Sequence, residues 1–128
     1  MDKRIISTGA ILGMIAIILG AFGAHALKKA LTIEELSTFE TGVKYQMYHA
    51  LFLLFIGLAT ELPKKVKNTI YLLVVFGVLF FSGSIYLLAT NSLTLFDFKV
   101  IGFITPIGGL LLIMAWANLV FNLLKKNL

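Results

Sequence analysis

The residues best suited to chemistry in this 128-residue chain are few, uncharged and grouped. They are His25; His49 with Tyr45 and Gln46 beside it; Ser82, Ser84 and Tyr86; and Thr105. Tyr45 lies four residues before His49 and Gln46 three, so on a helix either can share a face with it. A histidine in such company can titrate near neutral pH, ligate a metal, or exchange hydrogen bonds in its neutral form. Ser82 or Ser84 becomes a nucleophile only beside a base, and only His25 or His49 can supply one. Two histidines without neighbouring acids fall short of the three or four ligands of a stable metal site. The chain has no cysteine, which removes disulfides, thiolate nucleophiles and thiolate metal sites. Neither a metal nor a cofactor is therefore expected.

The elements that hold these residues are set by an apolar composition. Hydrophobic residues make up 59% and charged residues 13%, about half the charged share of a soluble domain. A soluble fold of this size leaves too much surface exposed to hide so much apolar area, so lipid has to be the solvent. The net charge of +5 sits in short basic clusters at the ends of apolar runs, where it anchors helices to headgroups. No basic face with interleaved aromatics exists, so nucleic acid is not an expected partner.

Residues 5–27, 45–60, 69–96 and 100–124 carry no Asp, Glu, Lys or Arg. Three of these runs exceed the ~20 residues a spanning helix needs, and the second is marginal. The fold class predicted is an all-α membrane bundle of four transmembrane helices, about 5–27, 43–62, 69–92 and 100–124, forming one domain over 1–128. Asp2-Lys3-Arg4 and Ala24-His25-Ala26 also fit the flanks of a signal peptide, but the first run is too long for an h-region and is expected to be retained as a helix. Between helices 1 and 2, Thr32 with Glu35 fits a capping box, and Ser37 with Glu40 offers a second. Ile33, Leu36 and Phe39 give one apolar edge, which predicts a short interfacial amphipathic helix at about 32–41, ended by Gly42; a solvated loop is the alternative. Pro106 leaves two starts for the last helix: near Ile107, or at Val100 with a kink.

Lys3, Arg4, Lys64, Lys65, Lys67, Lys125 and Lys126 fall on one side of this topology, against Lys28, Lys29, Lys44 and Lys99 on the other. The richer side is expected in the cytoplasm, with both termini. His25 and the Tyr45–His49, Ser82–Tyr86 and Thr105 groups then converge on the outer half of the bundle. Small residues Gly9, Gly13, Gly20, Gly83, Gly108 and Gly109 are expected at helix-packing faces, within the protomer or between copies.

Four stretches carry a resemblance: GAFGAHAL at 20–27, TGVKYQMYHA at 41–50, FSGSIY at 81–86 and TPIGG at 105–109. In this order and spacing the chain resembles the YgdD-like family of small multi-pass membrane proteins, domain-of-unknown-function family 423, with animal relatives of the transmembrane protein 256 type. The resemblance covers essentially the whole chain. It implies a multi-pass protein of the bacterial plasma membrane and brings no established activity, cofactor or catalytic residues.

Three readings of the outer polar group stand: hydrogen-bonded glue or an aromatic belt at the headgroups, a seat for lipid or a small amphiphile, and a metal or proton relay. Glu61, beside Pro63 and Lys64, reads as an interfacial ion pair; Asn118 and Asn122 read as helix-bonding groups and Trp116 as an inner-leaflet or packing aromatic. The leading expectation is a non-enzymatic binder of membrane lipid, amphiphile or another membrane protein, supporting envelope integrity, with a homo-oligomer as a possible assembly. The alternative is a small oligomeric transporter or channel, against which stands the absence of a charge near the middle of any helix.

Overall fold

The computed structural model describes residues 1–126, and four long helices carry most of them. They are α1 (Lys3–His25), α2 (Ile33–Leu58), α3 (Lys64–Ala89) and α4 (Ile104–Lys126), with short 3-10 turns at Leu27–Lys29, Asn91–Leu93 and Phe98–Ile101. Each start has a local cause. The Asp2 carboxylate accepts from the Arg4 and Ile5 amides of α1. Thr32 and Glu35 form the complete capping box of α2. Hydrogen bonds from the Thr32 amide, and next from the Ser92 hydroxyl, hold the Glu35 carboxyl below the usual carboxylate range. Pro63 precedes α3, and Pro106 sits in the first turn of α4, where its missing N–H leaves no bond unmade. The helix therefore starts at Ile104 rather than kinking from Val100, which lies in the 3-10 turn capped by Asp97.

Successive helices pack antiparallel. The Asp2 amide donates to Gly57 O at one end of the α1–α2 pair, while Gly23 meets Phe39 at the other. In the α3–α4 pair Gly77 faces Leu112, Phe81 faces Gly108 and Ser84 bonds Thr105, each step up α3 matched by an equal step down α4. Lys3, Arg4, Lys64, Lys65, Lys67 and the end of α4 share one pole, the basic end. The main core joins Ile5, Leu53, Ile56, Ile70, Val74, Leu112 and Ala115, and a smaller one at the far end joins Leu27, Leu31, Phe39 and Ala89. The outside is apolar too: Ile11, Ile18, Leu51, Phe55, Leu72, Leu79, Ile113 and Phe121 are all exposed. Three stretches, Lys3–Lys29, Lys64–Ala89 and Phe98–Lys125, are long and apolar enough to cross a membrane.

Two expectations change here. The stretch from Ile33 to Leu58 is one helix, so no separate interfacial helix ends at Gly42. Gly42 has no left-handed backbone, as no glycine here does. A Cβ on Gly42 would come 2.7 Å from the Tyr86 ring and 3.0 Å from Ile85, so that glycine serves close approach of α3. Leu36 and Phe39 face the far-end core, Ile33 is exposed, and Ser37 caps nothing, its carbonyl instead accepting from the Thr41 hydroxyl. The second change concerns α3, which begins at Lys64 rather than near residue 69, so Lys64, Lys65 and Lys67 lie in its first turn.

The small residues sort by contact. Cβ atoms on Gly9, Gly13 and Gly20 would meet Ala50, Leu53 and Val43 of α2, and one on Gly109 would touch the Phe81 ring. These glycines pack helices within the protomer. Gly83 does not: its face has no atom within 4 Å. A Cβ on Gly108 would lie 2.3 Å from the Phe81 amide nitrogen and 2.7 Å from the Phe80 carbonyl carbon, neither of which can yield without parting α3 from α4. We expect Gly108→Ala to destabilise the bundle by about 1–3 kcal/mol. Gly83→Ala should be neutral or stabilise by up to about 1 kcal/mol through helix propensity. Unfolding of both variants in detergent micelles checks the contrast.

Candidate functional site

Polar side chains between apolar helices must find partners inside the protein, because neither lipid nor hydrocarbon core supplies any. Here α2 provides most of those partners. Gln46 is 4% exposed and bridges two neighbours. Its Nε2 donates to Leu12 O of α1 at 2.9 Å, and its Oε1 accepts from the Tyr86 hydroxyl of α3 at 2.6 Å. A carbonyl can only accept, so the amide nitrogen has to face Leu12, which leaves the oxygen for Tyr86. Fully buried Ser82 donates to Gly42 O at 2.7 Å. Ser84 and Thr105 share a hydroxyl–hydroxyl bond that joins α3 to α4, with the Phe80 and Phe81 carbonyls as further acceptors.

His49 joins α2 to α4. The Trp116 indole N–H, which can only donate, points at His49 Nε2 at 3.0 Å. The ring proton must then sit on Nδ1, where it donates to Tyr45 O at 2.7 Å. Both nitrogens of this neutral tautomer are engaged. Phe52 stacks on the Trp116 ring at 4.0 Å and 17°, completing the contact. The sequence suggests only an inner-leaflet or packing aromatic at Trp116; its pairing with His49 across 67 positions has no local signal.

The predicted group is thus divided rather than gathered into one pocket. Gln46, Ser82 and Tyr86 lie along the α2–α3 seam, Ser84 and Thr105 on the α3–α4 seam, and His49 between α2 and α4. His49 lies about 24 Å along α2 from Ile33 and about 14 Å from Leu58, deeper than a first-turn position, because α2 starts ten residues earlier than expected. His25, the last residue of α1, is exposed and apart from all of them. Tyr45 is half-exposed, edge-on to Tyr48 and Phe81. Ser82 and Ser84 bond to carbonyls and Thr105, and neither histidine is their partner.

Two recesses flank this framework. One, of about 300 Å³, lies beside Tyr45, His49, Phe81, Gly109 and Trp116. The other is a groove of about 380 Å³ between α1 and α3. Its walls are Thr8, Leu12, Ile15 and Leu19 on one side and Val75, Val78, Leu79 and Gly83 on the other, with Gln46 and Tyr86 also lining it. Toward the basic end the Thr8–Tyr71 bond (3.0 Å) and the Arg4–Asn68 bond (2.7 Å) tie α1 to α3. Sequence reasoning passed over those ties and over Lys67, which is 5% exposed and donates to Gly57 O and Ala59 O. Lys67 sits three residues before Ile70 and seven before Val74 on the buried stripe of α3, a periodicity hidden while α3 was started at residue 69.

Fold and surface together define a helical membrane protein. The family model described as "Protein of unknown function (DUF423)" matches residues 19–109. A UPF0382 membrane protein of Staphylococcus saprophyticus is 44% identical over 123 residues, covering 96% of this chain and 98% of the relative. A UPF0382 membrane protein of Haemophilus influenzae is 34% identical over 99% of this chain and 98% of its own length. The UPF0382 inner membrane protein YgdD of Escherichia coli is 37% identical over 91% of this chain and 86% of its own. The chain belongs to this family of membrane proteins. No solved structure matches it.

If the Gln46–Tyr86 bond ties α2 to α3, a double-mutant cycle of Gln46→Leu and Tyr86→Phe should return a coupling of about 0.6–1.7 kcal/mol, the range for bonds between helices in membranes. The same cycle with Tyr45→Phe should return none. Reversible unfolding in micelles measures both.

Proposed function

We propose that this protein is a non-catalytic lipid binder whose four helices all cross the plasma membrane, with both termini in the cytoplasm and the α1–α3 groove as the seat of an acyl chain. α2 falls short of the apolar length of the others, but from Tyr48 onward its exposed residues are Leu51, Phe55 and Leu58, which suit lipid. The basic end carries the larger share of Lys and Arg, which favours the cytoplasm for that end. The Escherichia coli relative's name as an inner membrane protein agrees with this location.

The observation that carries the binding is the bare face of Gly83. Gly9, Gly42, Gly57, Gly77 and Gly108 each have a protein neighbour that a Cβ would crowd, whereas Gly83 opens on the groove with nothing in front of it. A notch of this kind, flanked by Leu79 and Tyr86 and walled by Leu12, Ile15 and Leu19, faces the bilayer interior. Acyl chains are the molecules present there. Contact along the groove would come from van der Waals packing, since lipid removes the usual hydrophobic drive. The pairing of both serines with carbonyls, and of both His49 nitrogens, supports a role without catalysis.

Gly83→Phe should fill the groove without displacing protein. Native mass spectrometry of the detergent-purified protein is expected to find a retained lipid in the parent chain and its loss in this variant, at unchanged thermal stability. Equal retention in the two would contradict the assignment.

A further inference from the structure

The basic end holds a further recess, separate from the groove and independent of its proposed role. It is an open recess of about 550 Å³ bordered by Met1, Asp2, Lys3, Arg4, Lys64 and Lys67, with Thr60 and Leu62 of the α2–α3 turn along one side. Four cationic side chains, Lys3, Arg4, Lys64 and Lys67, border it against the single carboxylate of Asp2. That carboxylate is already occupied with the Arg4 and Ile5 amides. Glu61 lines the neighbouring apolar recess instead.

Burial of Lys67 sharpens the case. Its ammonium reaches Ala59 O at 2.8 Å and Gly57 O at 3.2 Å, carbonyls at the end of α2 that lack a partner within the helix; Gly57 O also accepts from the Asp2 amide. An ammonium has three N–H donors, so one remains. Arg4 is fixed by Asn68 at 2.7 Å and lies over the Tyr71 ring at 5.0 Å, which spends one of its five donors on protein and sets the plane of the rest. No side chain caps α3, so its first amides add a partial positive charge beside Lys64. The recess thus presents fixed, unspent donors and excess positive charge at the level where the apolar surface ends.

We propose that this recess binds a phosphate group, with Lys67 and Arg4 as fixed donors and Lys3 and Lys64 as mobile ones. The same chemistry serves an anionic phospholipid headgroup or a soluble phosphate, and the two are separable by experiment. A merely snorkelling lysine cluster would respond to net charge alone. Lys65 provides that comparison, since it is exposed in the same turn but does not border the recess.

The test uses the full chain in micelles titrated with phosphatidylglycerol, phosphatidylcholine or inorganic phosphate, read by native mass spectrometry and thermal shift. Phosphatidylglycerol is expected to bind with one-site saturation and phosphatidylcholine weakly. Lys64→Gln and Lys3→Gln should each weaken phosphatidylglycerol by about fivefold, the effect of ~1 kcal/mol per basic residue, with Lys65→Gln near unity. Both test variants replace exposed side chains, so folding is preserved. Saturable binding of inorganic phosphate with the same variant pattern upholds the recess and assigns it to a soluble anion. Equal weakening by Lys65→Gln, or no saturable binding by either phosphate source, overturns the proposal.

Discussion

A polar side chain placed among apolar helices has to be answered by another part of the same protein. Most of this architecture follows from how α2 meets that demand. It is the least apolar of the four helices, and it carries Gln46 and His49 on the faces it turns toward its neighbours. Gln46 takes a carbonyl of α1 and a hydroxyl of α3, His49 takes the indole of α4, and Gly42 offers its carbonyl to Ser82. Each neighbour is thereby fixed to α2 in rotation and in height. Apolar packing alone would hold helices together without choosing their register, because lipid tails compete for the same contacts.

Glycine makes those bonds reachable. A hydroxyl or amide spans from one helix to the next only where the backbones approach closely, and close approach occurs where a Cβ is missing. Gly9 and Gly57 bring α1 to α2, Gly42 brings α2 to α3, and Gly77 and Gly108 bring α3 to α4. The polar bonds then lie near these contacts: Gln46–Leu12 near Gly13, Ser82–Gly42 on the glycine itself, and Ser84–Thr105 one turn from Gly108. Between the tied places α1 and α3 leave the groove beside Gly83. On the account proposed, a rigid frame with an unfilled seam beside Gly83 is what a lipid seat requires.

Much of this was readable from the residues. The apolar runs of α1, α3 and α4, the basic clusters, the capping box at Thr32 and the family motifs all rest on local pattern, and local pattern survives in the folded chain. Gly42 is misleading because a glycine after an amphipathic stretch looks like a helix end; Ile85 and the Tyr86 ring, more than 40 residues away, explain it. A helix begun after Gly42 is ten residues short and puts His49 in its first turns, whereas α2 runs from Ile33. The His49–Trp116 and Gln46–Tyr86 pairs follow from the relative rotation of helices, a tertiary property with no trace in spacing. Gly83 matches the packing glycines in residue type, but its neighbours leave it bare.

The proposed function depends on α2 crossing the bilayer among the other three. Because the chain lacks cysteine, single replacements report cleanly. Ser37→Cys and Lys65→Cys, both exposed and at opposite ends of the bundle, would be probed in intact cells with a membrane-impermeant maleimide. Labelling of position 37 from outside, with position 65 reached only after permeabilisation, is the predicted result. Labelling of both from the same side would contradict it, and the bundle would have to be reoriented around a helix that does not cross.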